Sequence, residues 1–161
     1  MFRCTTCGAF NRVPQHRPEK KAFCGRCGGA LDLSGHPQAA TDAGLARALA
    51  ASPIPVLVDF WAPWCAPCAM AAPALEQVGH AFAGELLVLK VDTERCPLSA
   101  ELHGIRGVPT FAFFSGGMER ARQTGMLPRA QFGEWVARHL AAIRTYGEGP
   151  ATYGHSSATS I

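Results

Sequence analysis

The chain has 161 residues, 48% hydrophobic and 17% charged, with a formal net charge of +3. That balance excludes a disordered polyelectrolyte or a fibrous repeat and suits one ordinary domain with a small appendage. Seven cysteines would fit a secreted disulfide scaffold, but Met1-Phe2-Arg3-Cys4 opens no apolar segment of signal-peptide length, and later apolar stretches are broken by Asp59 and prolines, so a cytoplasmic protein without membrane contact is expected.

Residues 1–30 hold Arg3, Arg12, Arg17, Lys20, Lys21 and Arg26 against one acid, Glu19, so the basic character is local. The same segment reads Cys4-Thr5-Thr6-Cys7-Gly8, sixteen residues from Gly8 to Phe23, then Cys24-Gly25-Arg26-Cys27-Gly28, a spacing inside the zinc-ribbon range. Two residues between ligands let a tight turn present both sulfurs to one tetrahedral ion, and the glycine after each pair supplies the positive φ such a turn needs. Cys4, Cys7, Cys24 and Cys27 are therefore expected to hold one structural Zn²⁺, whose binding supplies much of the folding energy of so short a segment. Four thiolates on Zn²⁺ carry a formal charge of −2, which accounts for the surrounding cations without a nucleic-acid partner. His16, between the pairs, is read as a solvated loop residue.

Residues 31–40 turn to Gly, Pro and Ser and read as a linker ending in a short first strand over 36–40. Thr41 caps a helix carrying Leu45, Ala46, Leu49 and Ala50, which ends before Pro53. Val56 to Trp61 is apolar enough for a strand buried on both faces. Asp59 is its anomaly: at a wet edge it would be unremarkable, but buried it would have a raised pKa and could take a proton from a nearby thiol. Trp64-Cys65-Ala66-Pro67-Cys68 follows at the strand-to-helix junction. A helix beginning there aims free N–H groups at Cys65 and stabilises its thiolate, so Cys65 attacks a disulfide and Cys68, one turn on, resolves the product.

The alanine-rich stretch from Ala69 to Ala83 predicts a helix with Leu75, Val78 and Phe82 on one face, kinked at Pro73. A strand within Glu85 to Asp92, a short helix over Pro97 to Leu102, a hairpin from Thr110 to Gln123 turning at Gly116-Gly117, and a helix from Pro128 to Arg144 on Phe132, Trp135, Val136 and Leu140 complete the domain. Residues 146–161, rich in Gly, Ser and Thr, read as a disordered tail. Cys96 reads as a buried small residue, with a regulatory thiol as the alternative. His36, His80, His103, His139 and His155 share no spacing and are assigned no chemistry.

Val58-Asp59-Phe60-Trp61-Ala62-Pro63-Trp64-Cys65-Ala66-Pro67-Cys68 resembles the active-site block of thioredoxins, and Gly107-Val108-Pro109-Thr110 resembles their cis-proline loop; with the four N-terminal cysteines the match narrows to the zinc-containing thioredoxin 2 group. The resemblance implies an α/β thioredoxin fold over 41–145, a central mixed sheet flanked by helices, behind a zinc ribbon at 1–30. It also implies a cis bond before Pro109, where a trans turn proline is the alternative. It implies close backbone approach at Gly104, Gly107 and Gly125, while Trp64, beside the nucleophile, is expected on the docking surface, with a core aromatic as the alternative. Lys90 falls where thioredoxins place a lysine near a buried acid; a lysine reaching solvent is the alternative. The implied activity is reduction of protein disulfides by a monomer that binds no organic cofactor and is recycled by an NADPH-dependent thioredoxin reductase. The alternatives are a zinc-dependent redox sensor or holdase and a zinc-ribbon binding module. The family's usual Gly-Pro between the cysteines is Ala66-Pro67 here, and its basic residue after the second cysteine is Ala69.

Overall fold

The computed structural model describes residues 1–14 and 21–146, so His16, His155 and the stretch 147–161 lie outside the described residues. The N-terminal segment pairs β1 (Phe2–Arg3) with β2 (Phe10–Asn11) in antiparallel fashion and adds a Phe23–Ala30 bridge. The main sheet runs in the order β3 (Gln38–Ala39), β5 (Leu87–Asp92), β4 (Val56–Trp61), β6 (Thr110–Ser115), β7 (Met118–Thr124). β3, β5 and β4 run parallel, β6 is antiparallel to β4 and β7 antiparallel to β6, which makes the mixed sheet that the resemblance implies. The helices are α1 (Asp42–Ala51), α2 (Ala66–Ala81), α3 (Pro97–Leu102) and α4 (Arg129–Tyr146).

Strand alternation sorts the core into two layers. Leu57, Val88, Phe111 and Phe113 face α2 and α4, meeting Ala71, Leu75, Val78, Phe132, Trp135, Val136 and Leu140. Val56, Val58, Phe60, Leu87, Leu89, Val91, Ala112 and Phe114 face the other way, against Leu45, Ala48, Leu49 and Cys96. Both faces of β4, β5 and β6 are covered, which is why these strands read as nearly continuous apolar runs. On α1 the buried set is Gly44, Leu45, Ala48 and Leu49, whereas Ala46 and Ala50, expected on the apolar face, are exposed. Alanine carries too little apolar surface to fix a helix's rotation, and the two leucines decide it. Thr41 caps α1 as expected, its Oγ1 accepting from the Gly44 N–H at 3.1 Å.

The boundary segment does more than connect. Gly35, at φ +79°, crosses α2 against Gly79 so closely that a Cβ on Gly35 would lie 2.0 Å from the Gly79 carbonyl oxygen, and one on Gly79 would lie 2.2 Å from that of Gly35. The ribbon is docked as well. The Met1 amino group donates to the Gly84 carbonyl at 2.6 Å, Arg3 and Gln38 exchange two hydrogen bonds, and Phe10 packs on the α1 layer. Gly79→Ala is expected to destabilise the chain by roughly 1–3 kcal/mol through overpacking, although alanine is the better helix former by about 1 kcal/mol. Urea unfolding of the variant checks this; a net stabilisation would show that the segment does not press on α2.

Candidate functional site

Helix α2 starts at Ala66, three residues earlier than the alanine-rich stretch suggests, because Pro67 is tolerated in the first turn, where its missing N–H costs nothing. The helix runs on through Pro73. This start makes Cys65 the N-cap, and its Sγ accepts from the Cys68 N–H at 3.2 Å. Cys65 and Cys68 are joined as a disulfide with Cα atoms 5.3 Å apart. Both are nearly buried, 6% and 5% exposed, so accessibility does not separate their roles; position does. The free N–H groups of the first turn converge on Cys65, and anions are favoured there. Cys68 instead begins the sheet-facing stripe that continues through Ala71, Leu75 and Val78.

Asp59 lies on the same side of β4 as Leu57, facing α2, two residues before Trp61, which packs against the cluster of Ala62, Cys65 and Cys68. It is 1% exposed, which removes the wet-edge reading, and its Oδ1 has no hydrogen-bond partner among the described residues. Burial pushes its carboxyl up to about 7, with the Lys90 charge pulling the other way. Lys90 stands opposite Asp59 in the β4–β5 register, and its Nζ sits 4.9 Å from the Trp61 ring centre. It also lines a cleft of about 460 Å³ with Trp61, Asp92 and Cys96. An acid that titrates near neutrality is suited to accept and return a proton at a thiol.

The Val108–Pro109 bond is cis, and Val108 packs against the cluster of Ala62, Cys65 and Cys68. The Thr110 hydroxyl donates to the Gly107 carbonyl at 2.7 Å, and the Gly125 N–H to that of Pro109 at 2.9 Å, holding this loop at the mouth of the site. Gly104, Gly107 and Gly125, expected at close backbone approaches, have open space where a Cβ would stand; Gly104 and Gly125 take positive φ instead, so conformation is what they supply. Trp64 is 70% exposed beside the disulfide, not in the core. Its Nε1–H donates to Glu94 at 3.2 Å, a partner that nothing in the sequence pattern singles out. Cys96 is buried as expected, its thiol donating to the Ala40 carbonyl and held above its ordinary pKa chiefly by burial.

At the other end of the chain, Cys4, Cys7, Cys24 and Cys27 bring their sulfurs within 4.8 Å of one another. Cys4 and Cys27 are 3.7 Å apart, Cys7 and Cys24 3.6 Å. Sulfurs on a tetrahedral ion with bonds of about 2.3 Å lie about 3.8 Å from each other, so the donor set fits such an ion. The two turns are near copies. The Gly8 N–H donates to the Cys4 carbonyl at 2.9 Å and the Gly28 N–H to that of Cys24 at 2.8 Å, with φ of +75° and +72° at the glycines. Within the thiol cluster the shifts oppose one another: backbone N–H groups of Cys27 and Arg26 draw the Cys24 thiol down, while Cys27, though the Gly29 N–H favours its thiolate, is pushed up by the neighbouring Cys7 and Cys4. His36 and His80, assigned no chemistry from spacing, meet at Glu76.

A cysteine pair at a helix N-terminus, entered from a strand that carries a buried acid, is suited to exchange thiols for disulfides, and this places the chain among the thiol-disulfide oxidoreductases. The family model described as Thioredoxin matches residues 37–138, and that described as Thioredoxin 2, N-terminal, matches residues 3–29. The chain belongs to the thioredoxin family, in the branch that carries an N-terminal zinc ribbon. Thioredoxin 1 of Nostoc sp. is 38% identical over 100 residues, covering 62% of this chain and 94% of its own length. Thioredoxin C-3 of Corynebacterium nephridii is 34% identical over 137 residues, 85% of this chain and 93% of its own. In fold, the chain superposes on a mutant thioredoxin of Halobacterium salinarum with a TM-score of 0.61 at 24% identity, covering 68% of this chain and 95% of that one. No helix among the described residues is long and apolar enough to cross a membrane.

Proposed function

We propose that the chain reduces disulfides in cytoplasmic proteins through Cys65 and Cys68, as a monomer, and is returned to the dithiol by an NADPH-dependent thioredoxin reductase. The observation that supports it is the pairing of an N-cap thiol with a buried carboxyl titrating near 7 on the strand that leads into it. The Cys65 thiolate attacks one sulfur of a substrate disulfide, and the other substrate sulfur leaves and takes a proton. Cys68 then gives its proton to Asp59 and attacks the Cys65 sulfur, which frees the second substrate sulfur as a thiol and leaves the Cys65–Cys68 disulfide. Two electrons have passed from the chain to the substrate. Lys90 sets the field at Asp59, while the Val108 backbone, Pro109 and Trp64 meet the substrate chain beside the attacked bond.

The four N-terminal thiolates would hold Zn²⁺ as a structural ion, which ties the two turns together and takes no part in the exchange. Turnover of insulin disulfides with NADPH and a thioredoxin reductase tests the reading; a chain reduced chemically but not by any such reductase would refute the recycling step. Elemental analysis is expected to give one zinc per chain. Stripping it with a chelator should change the rate of reduction of a small disulfide by no more than about twofold, well under 1 kcal/mol in barrier. Loss of activity on chelation, with the circular dichroism of the main domain intact, would make the ribbon part of the reaction.

A further inference from the structure

The ribbon and the main domain enclose a polar cavity of about 650 Å³, walled by Arg3, Thr5 and Thr6 from the ribbon and by Gln38 and Arg47 from the domain. Arg3 is half-buried and bridges the two sides. Its Nη1 donates to Gln38 Oε1 at 2.9 Å, while a Cβ on Gly8 would stand 3.7 Å from its Nη2 and one on Gly44 3.8 Å, so the guanidinium lies between a ribbon turn and the first turn of α1. Arg47 follows Gly44 by one turn on the same face of α1. Among the described residues, Nε and Nη2 of Arg3 and the whole Arg47 guanidinium have no hydrogen-bond acceptor and no carboxylate partner. Asp32, the single carboxylate in the wall, turns to Ser34 instead and takes its N–H at 2.8 Å.

Arginine keeps its proton across the whole range in which proteins fold, so two fixed positive charges face one cavity. Burial and then the Arg47 charge weigh most against the charge on Arg3, each ahead of the opposing pull of Cys4 or of Cys7. Like charges that the fold holds together without an acid between them favour an anion. We propose that this cavity binds the phosphate group of a small phosphorylated molecule, with Arg3 and Arg47 as its two clamps. The two guanidiniums approach from different elements, and a phosphate offers three terminal oxygens and close to two charges, enough to serve both forks, whereas the two oxygens of a carboxylate serve one. The Thr5 and Thr6 hydroxyls in the same wall supply further donors. The cavity is larger than a phosphate alone requires, which leaves room for the group that carries it. An occupant joins the ribbon, through Arg3, to α1, through Arg47, at a place remote in sequence from the redox pair.

The full zinc-loaded chain, at fixed ionic strength, is titrated with inorganic phosphate and with glycerol phosphate, and binding is followed by phosphorus NMR line width and by backbone amide shifts. One saturable site per chain is expected for both, with amide shifts concentrated around Gly8 and Gly44. Arg47→Gln should weaken it by roughly tenfold or more, the loss of a charge-assisted pair. Arg47 is exposed on α1, so the variant is expected to fold, which circular dichroism and zinc content establish. Arg138→Gln removes the same charge from an exposed position on α4 and should leave binding unchanged, which separates the clamp from net charge. No saturable binding, unchanged affinity in Arg47→Gln, or equal weakening by Arg138→Gln would each overturn the site. Binding of inorganic phosphate with exclusion of glycerol phosphate would overturn the ligand class.

Discussion

Cys65→Ser will bring insulin reduction down to the uncatalysed rate, a loss of at least about a thousandfold or some 4 kcal/mol in barrier, because a hydroxyl at the N-cap can neither ionise near neutrality nor form a disulfide. Cys68→Ser will also fail to turn over, but for a different reason. Its Cys65 remains in the field of the α2 N-terminus and still attacks, so the chain accumulates as a mixed disulfide with its substrate. Non-reducing gels and intact mass measured after mixing with oxidised insulin separate the two. The asymmetry is the point of the test, since the cysteines are equally buried and only the N-cap position and the Cys68 N–H at 3.2 Å distinguish them. Equal trapping by both variants would mean that the helix terminus does not choose the nucleophile.

Asp59 gives the second large effect, on stability rather than rate. Its carboxyl titrates at about 7 in the folded chain and near 3.8 when solvated. Below pH 4 it is protonated in both states and costs nothing. Between about pH 4 and pH 7 the unfolded chain releases the proton while the folded chain retains it, so the unfolded state binds fewer protons and stability falls as pH rises. Above pH 7 the full difference applies, some 3 units or about 4 kcal/mol as an order of magnitude. Asp59→Asn keeps the side-chain volume and cannot ionise. The oxidised variant is therefore expected to lose this pH dependence and to exceed the parent in urea stability at pH 8 by up to about 4 kcal/mol, while gaining little at pH 4. Single-turnover release of the mixed disulfide should slow in the same variant, because the proton acceptor for Cys68 is gone. Parallel stability curves for the two proteins from pH 4 to 8 would show that the acid is hydrated in solution.

The redox pair, the thiol cluster and the apolar strand that carries Asp59 were legible because each is a local signal. Two thiols at i and i+3 after an apolar run, and two such pairs set apart by sixteen residues, carry their chemistry in spacing alone. The cis bond at Pro109 came from resemblance, since an X-Pro bond by itself favours trans. Helix rotation was less legible: Ala46 and Ala50 looked like core by periodicity, but Leu45 and Leu49 outweigh them in apolar area. Glu94 beside Trp64, and Glu76 between His36 and His80, had no pattern strong enough to stand out; the separation of Glu76 and His80 by one helical turn was the single hint.

Residue type and spacing by themselves determined which cysteines pair as a disulfide, which four thiols cluster and which strands are covered on both sides, because thiol spacing and apolar periodicity are properties of short segments. Tertiary structure alone decided that the Asp59 carboxyl is desolvated and opposite Lys90, that Val108 reaches the cysteines, and that the ribbon and its boundary segment rest on the domain through Phe10, Gln38 and Gly35. Those outcomes depend on strand order, register and the approach of backbones distant in sequence, and free energies of burial arise only once the packed neighbours are in place.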